Sequence, residues 1–198
     1  MKAKWYDVQD LNEFYNGDKF WRASNREAPH NLYTSTARLA EAVESDDWLN
    51  KNFTSWRFVD EPVAKPDPTA TDLKILYYTD GRYKAVWKYD QPNNQYLRFD
   101  GAKQKIDNDN SPVIAKNVLI EYMEMKVIDK DGRHEVKTTG SGKVLLFKDG
   151  QVTTGTWKKA SEDSRTFFYN DANQQMTFNR GSVWIEVVPK DGESMVEY

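Results

Sequence analysis

The chain has 198 residues, 28 basic against 31 acidic side chains, no Cys, and 7 Trp, 11 Tyr and 9 Phe. That length holds one large domain or a main domain with an appendage, and the aromatics supply core-forming surface that disordered chains lack. A formal charge of −3 gives no field for gathering nucleic-acid phosphates, and the lack of thiols excludes disulfide frameworks, zinc–thiolate centres and cysteine nucleophiles.

The opening Met1-Lys2-Ala3-Lys4-Trp5-Tyr6-Asp7 runs straight into polar residues, so no targeting signal and no transmembrane span is expected. Residues 7–17 place Val8, Leu11, Phe14 and Tyr15 at helical spacing between a capping Asp7 and a terminating Gly17. A second helix is predicted from Thr36 to Val43 behind Ser35, with Trp48, Leu49 and Phe53 continuing it after a break. Pro62, Pro66 and Pro68 then predict a linker over 61–71, separating a helix-containing piece (1–60) from a β domain (72–198).

Beyond the linker the period changes. Asp-Gly pairs at 80–81, 100–101, 131–132, 149–150 and 191–192 read as tight turns between alternating runs. The predicted strands are 74–79, 83–89, 95–99, 117–129, 133–139, 143–148, 151–157, 166–169, 174–178 and 183–188. The expected class is α+β, predominantly β: a short helical N-terminal segment followed by an antiparallel curled sheet, sandwich or partly open barrel.

Three stretches carry a family likeness: "DKFWRASNREAPHNLYTST" (Asp18–Thr36), "AKNVLIEYMEM" (Ala115–Met125), and "GSGKVLLFKDGQVTTGTWKK" followed by "GSVWIEVVP" (Gly140–Lys159, Gly181–Pro189). In order and spacing they resemble the YerB-like bacterial lipoprotein family, whose function is unassigned. The resemblance implies an extracytoplasmic protein anchored through a lipid, with an N-terminal α/β domain and a C-terminal β domain. Relative to that pattern, the lipid-bearing Cys and the first part of the N-terminal domain are not in this sequence. The apolar faces of Val8, Leu11, Phe14, Phe20, Trp21, Leu39 and Val43 are therefore expected to find another surface, the β domain or a second copy in a homo-oligomer.

Candidate chemistry is sparse. Trp21, Arg22, His30, Asn31 and Tyr33 form the candidate ligand-binding set, because imidazole, amide, guanidinium and aromatic groups together suit an anionic or sugar ligand. Trp87, Tyr89, Tyr96 and Phe99 flank one hairpin and form a candidate aromatic surface. "GSGK" at Gly140–Lys143 is not a phosphate loop: Lys137 stands where the first Gly belongs and Val144 where the hydroxyl belongs. Asp107/Asp109 and Asp129/Asp131 lack calcium-loop spacing, and His30 and His134 make no metal motif. No cofactor or metal is expected. The preferred reading is a non-enzymatic binding module of the bacterial cell envelope, engaging an envelope protein or cell-wall ligand and no nucleic acid. The rival is an envelope-associated hydrolase around His30 and Arg22, completed by residues outside this chain; a structural spacer is a third, weaker reading.

Overall fold

A computed structural model describes residues 11–43, 54–62, 67–77 and 83–198. The chain divides into two units, Met1–Phe53 and Thr54–Tyr198.

In the first unit, strands β1 (Trp21–Arg22) and β2 (Leu32–Tyr33) pair antiparallel, and helix α1 spans Thr36–Ala42. The helix starts as expected, since the Ser35 hydroxyl accepts the Arg38 backbone N–H. The helix expected over 7–17 does not form in its described part. Asn12 accepts the N–H groups of Phe14 and Tyr15 through its side chain, turning the backbone where helical bonds would run, and a 3₁₀ turn follows at Gly17–Lys19. The single described helix is thus internal to this unit rather than at its start. Asp7, Val8, Trp48, Leu49 and Phe53 lie outside the described residues.

Among the described residues of the second unit, the regular elements apart from one 3₁₀ turn at Glu193–Met195 are strands. They are β3 (Arg57–Val59), β4 (Asp72–Leu76), β5 (Lys84–Asp90), β6 (Gln95–Asp100), β7 (Lys103–Gln104), β8 (Ile114–Ala115), β9 (Asn117–Met123), β10 (Met125–Val127) and β11 (His134–Val136), then β12 (Gly140–Lys148), β13 (Gln151–Lys159), β14 (Phe167–Asn170), β15 (Thr177–Asn179), β16 (Val183–Pro189) and β17 (Val196–Glu197). One sheet runs β14-β13-β12-β9-β16; a second runs β17-β4-β5-β6-β7, with β8 also on β6. Neither closes on itself, so the architecture is open sheets rather than a barrel. The boundary between the two units falls before β3, which the sequence placed in the first piece, because β3 pairs with β15.

The sequence suggested an antiparallel sheet, but among the described residues two of the pairings are parallel. Strand β16 runs parallel to β9, and β3 parallel to β15. After β14 on one edge, the chain crosses the sheet through β15 and enters the opposite edge as β16, and a crossover of that kind delivers a parallel strand. The strand expected over 117–129 also divides at Glu124, since Met125–Val127 pairs with the β11 hairpin partner instead.

Strand β9 is buried along its whole length because both of its faces are covered. Val118, Ile120 and Tyr122 join Leu73, Ile75, Trp87 and Tyr96 in a core between the two sheets. Leu119 and Met123 face the other way, with Val144, Leu146, Trp157, Phe168 and Phe178. The turn between β12 and β13 fits its sequence, with Asp149 at φ 57° and Gly150 at φ 70°, the left-handed pair a two-residue hairpin requires. Its carboxylate works inward, where one Asp149 oxygen accepts the side-chain amides of Asn94 (2.8 Å) and Asn179 (2.6 Å), both buried. Asp149→Ala is therefore expected to cost ~2–3 kcal/mol, as two buried amides lose an acceptor. Urea unfolding checks this, and an unchanged midpoint would show that the amides find other partners.

Candidate functional site

The first unit gathers most of the expected ligand-binding residues by simple strand geometry. Trp21 and Tyr33 are directly opposed in the β1–β2 register, so their side chains share a face and stack at 6.1 Å and 23°. Arg38, one turn into α1, lies over the Trp21 indole at 4.9 Å. Arg22 makes a two-oxygen contact with Glu13 (2.6 and 2.8 Å) while its other amino group donates to Asn31 Oδ1 (2.8 Å). Asn31 is anchored in turn on the Ala23 carbonyl. Exposed ion pairs add little stability; here the pair fixes where the guanidinium sits.

Beside these groups runs a groove of about 450 Å³, lined by Glu13, Phe14, Phe20, Trp21, Arg22 and Leu32 among others. Trp21 stays 42% exposed at its edge. Of the five expected residues, Trp21 and Arg22 line the groove, Tyr33 backs the indole and Asn31 orients Arg22. His30 does not join them; its backbone N–H closes a turn on Glu27 and its side chain is exposed outside the groove lining.

The expected aromatic surface on the second unit is not a surface. Trp87 and Tyr96 are fully buried in the inter-sheet core, and Tyr89 and Phe99 are half-buried. Alternation places Tyr83, Ala85, Trp87 and Tyr89 on one face; the last three share it, turned towards the other sheet, whereas Tyr83 precedes β5 and is exposed. At one end of this core lies a polar cluster that sequence reasoning missed. Glu186, 8% exposed, reaches in from β16 and accepts the Tyr77 hydroxyl (2.6 Å) and the Trp87 indole N–H (3.0 Å). Burial and that carboxylate push the Tyr77 phenol far above its ordinary range, keeping it a donor. Arg98 Nε stands 3.8 Å from Glu186, too far for a hydrogen bond, while its Nη1 bonds Asp100 (3.0 Å) and the Phe99 carbonyl. The signal was present in "WIEVVP": an acid at an inward position between Trp184 and Val188.

The rejected motifs have structural roles. The "GSGK" stretch starts β12, and a Cβ on Gly142 would meet the Tyr122 carbonyl and the Trp157 indole, so the glycine makes room for a tryptophan. Asp109 accepts the Ser111 N–H and hydroxyl, and Asp129 accepts the N–H groups of Asp131 and Arg133, so both acidic pairs hold turns. His134 is exposed at the start of β11. Among the described residues, no group of three or more His, Asp or Glu side chains is placed to hold a metal ion. Among the same residues, no helix is long and apolar enough to cross a membrane.

Two open sheets with a separate groove-bearing unit define a predominantly β protein of two parts. The chain belongs to the family described as protein of unknown function DUF3048, matching its N-terminal domain over residues 2–49 and its C-terminal domain over 73–185. It is similar to YerB of Bacillus subtilis (strain 168), a candidate lipoprotein, with 30% identity over 177 residues covering 88% of this chain and 53% of that protein. It is also similar to the crystal structure of the Bacillus subtilis YerB protein, with a TM-score of 0.76 and 26% identity over 94% of this chain and 62% of that one. The chain thus spans about half the length of the curated relative it matches.

Proposed function

We propose that the chain is a non-enzymatic binding module of the bacterial cell envelope, and that the first-unit groove receives its ligand. The observation that carries this reading is the Trp21 indole, exposed at the groove and packed against Tyr33 and Arg38. A pre-oriented indole edge beside the Glu13–Arg22 pair offers an apolar contact and polar groups at little ordering cost, which suits a sugar or peptide of the cell wall. Extracytoplasmic placement is part of the proposal and is supported by the lipoprotein designation of the YerB relative.

Hydrolysis around His30 and Arg22 has less support, since the imidazole lies away from the groove and Arg22 is engaged by Glu13 and Asn31. Trp21→Ala tests the binding reading. Its affinity for purified cell-wall fragments should fall by roughly ten-fold or more with the circular-dichroism spectrum unchanged. Equal affinity in variant and parent would remove the groove from the account.

A further inference from the structure

We infer that the second unit carries a docking edge for an extended peptide bearing a Lys or Arg side chain, along strand β11 beside Glu162. Strand β10 follows β9 after Glu124 alone, and β11 leads into β12 through residues 137–139, so the β10–β11 hairpin grows out of two neighbouring strands of the sheet. Strand β13 does not follow them. It ends at Lys159, opposite Gly140, and the chain turns through residues 161–164. Between β11 and that turn lies a groove of about 420 Å³, lined by Met125, Lys126, Glu135, Val136, Thr138 and Glu162 among others.

The groove offers backbone groups and charge together. Within the hairpin the Ile128 N–H donates to the Arg133 carbonyl and the Lys137 N–H to the Glu124 carbonyl, so residues 133, 135 and 137 turn their backbone groups towards β10. Val136 and Thr138 therefore turn theirs outward, and among the described residues these groups have no backbone partner, since the hairpin forms a sheet of two strands. Lys126 pairs with Glu135 (2.7 Å) and Lys137 with Glu124 (3.4 Å), so the four hairpin charges lining the groove cancel. Glu162 is exposed and, among the described residues, meets no cation, which leaves the groove with unbalanced negative charge. Met125 and Val136, packed against the core, supply an apolar floor. An added strand would bond the open backbone groups of β11, and Glu162 would select a cationic side chain on it. The edge is short and flanked by charges, which discourages indiscriminate pairing, so selection falls to the charge rather than to apolar area.

This edge belongs to a different unit from the groove proposed above, so either can fail without the other. The test follows the backbone amide resonances of Val136 and Thr138 in the full chain at low salt. The probes are the peptide acetyl-Thr-Val-Lys-Val-Thr-amide, its counterpart with Glu at the centre, and an N-methylated form of the Lys peptide. The Lys peptide is expected to shift both resonances saturably, with the Glu peptide about three-fold weaker or more and the N-methylated peptide without effect. Glu162→Gln, an exposed change, should leave the spectrum dispersed and bring the Lys and Glu peptides within about two-fold of each other. The proposal is overturned if the Lys peptide gives no saturable shift, if its N-methylated form matches it, if the Lys and Glu peptides bind alike, or if Glu162→Gln keeps the parent's preference. Shifts that appear on concentrating the protein without peptide would mean that a second copy closes the edge, and would overturn it as well.

Discussion

Trp157→Ala is expected to destabilise the second unit by ~4 kcal/mol, a large fraction of the ~5–15 kcal/mol that holds a typical domain folded. The indole is buried against Leu119, Val144 and Phe168, and it crosses the side-chain-free position at Gly142 to donate to the Tyr122 carbonyl (3.0 Å). Truncation opens a cavity that rigid strands on both sides cannot fill, and strips a buried carbonyl of this indole donor. Trp157→Phe keeps most of the ring and loses only the donor, so ~1–3 kcal/mol is expected. Urea unfolding separates the two variants. A loss under ~1 kcal/mol for the alanine variant would place this tryptophan outside the cooperative core.

The second large effect depends on pH. Glu121 sits on β9 only 3% exposed, on the apolar face that carries Leu119 and Met123. Burial pushes its carboxyl up to about 7 from an ordinary 4.5, and Lys159 pulls it only partly back. The folded chain therefore holds this proton more tightly than the unfolded chain. The contribution of Glu121 to stability is full below about pH 4.5 and is lost as pH rises through about 7, by ~3 kcal/mol at most. Glu121→Gln removes the ionisation, so its stability should stay flatter across that window. The glutamine variant should match the parent near pH 4.5 and exceed it near pH 8. Melting curves at the two pH values decide, and a parent that loses nothing relative to the variant would mean that Glu121 ionises at its ordinary pH.

Much of the fold was legible because strand alternation and turn chemistry are local. The expected strands 95–99 and 151–157 fall within β6 and β13, and Ser35 capped the helix it preceded. What was not legible depended on distant partners. Nothing near "WIEVVP" says that its strand is reached by a crossover and so lies parallel to β9. The same holds for the aromatic hairpin: alternation puts Trp87 and Tyr89 on one face, but does not show that a second sheet covers that face.

The candidate site shows the same division. Trp21 and Tyr33 meet because a short ladder opposes them, a contact spanning only a dozen residues. Arg98 and Glu186 come from strands of different sheets, so their approach appears only in three dimensions. A charged residue inside an otherwise apolar alternating run was the available clue, and it marks Glu121 and Glu186 alike. One is an isolated acid in the core and the other is the centre of a hydrogen-bonded cluster, a distinction that rests on the partners each one meets.

The claim that this is a binding module rather than an enzyme is tested most directly by equilibrium dialysis against defined glycan–peptide fragments of the cell wall, with the fragments recovered and weighed by mass spectrometry. Saturable retention that Trp21→Ala lowers, with every fragment recovered at its starting mass, is the predicted result. Fragments returned with a bond cleaved, in amounts that grow with time and with protein concentration, would contradict it.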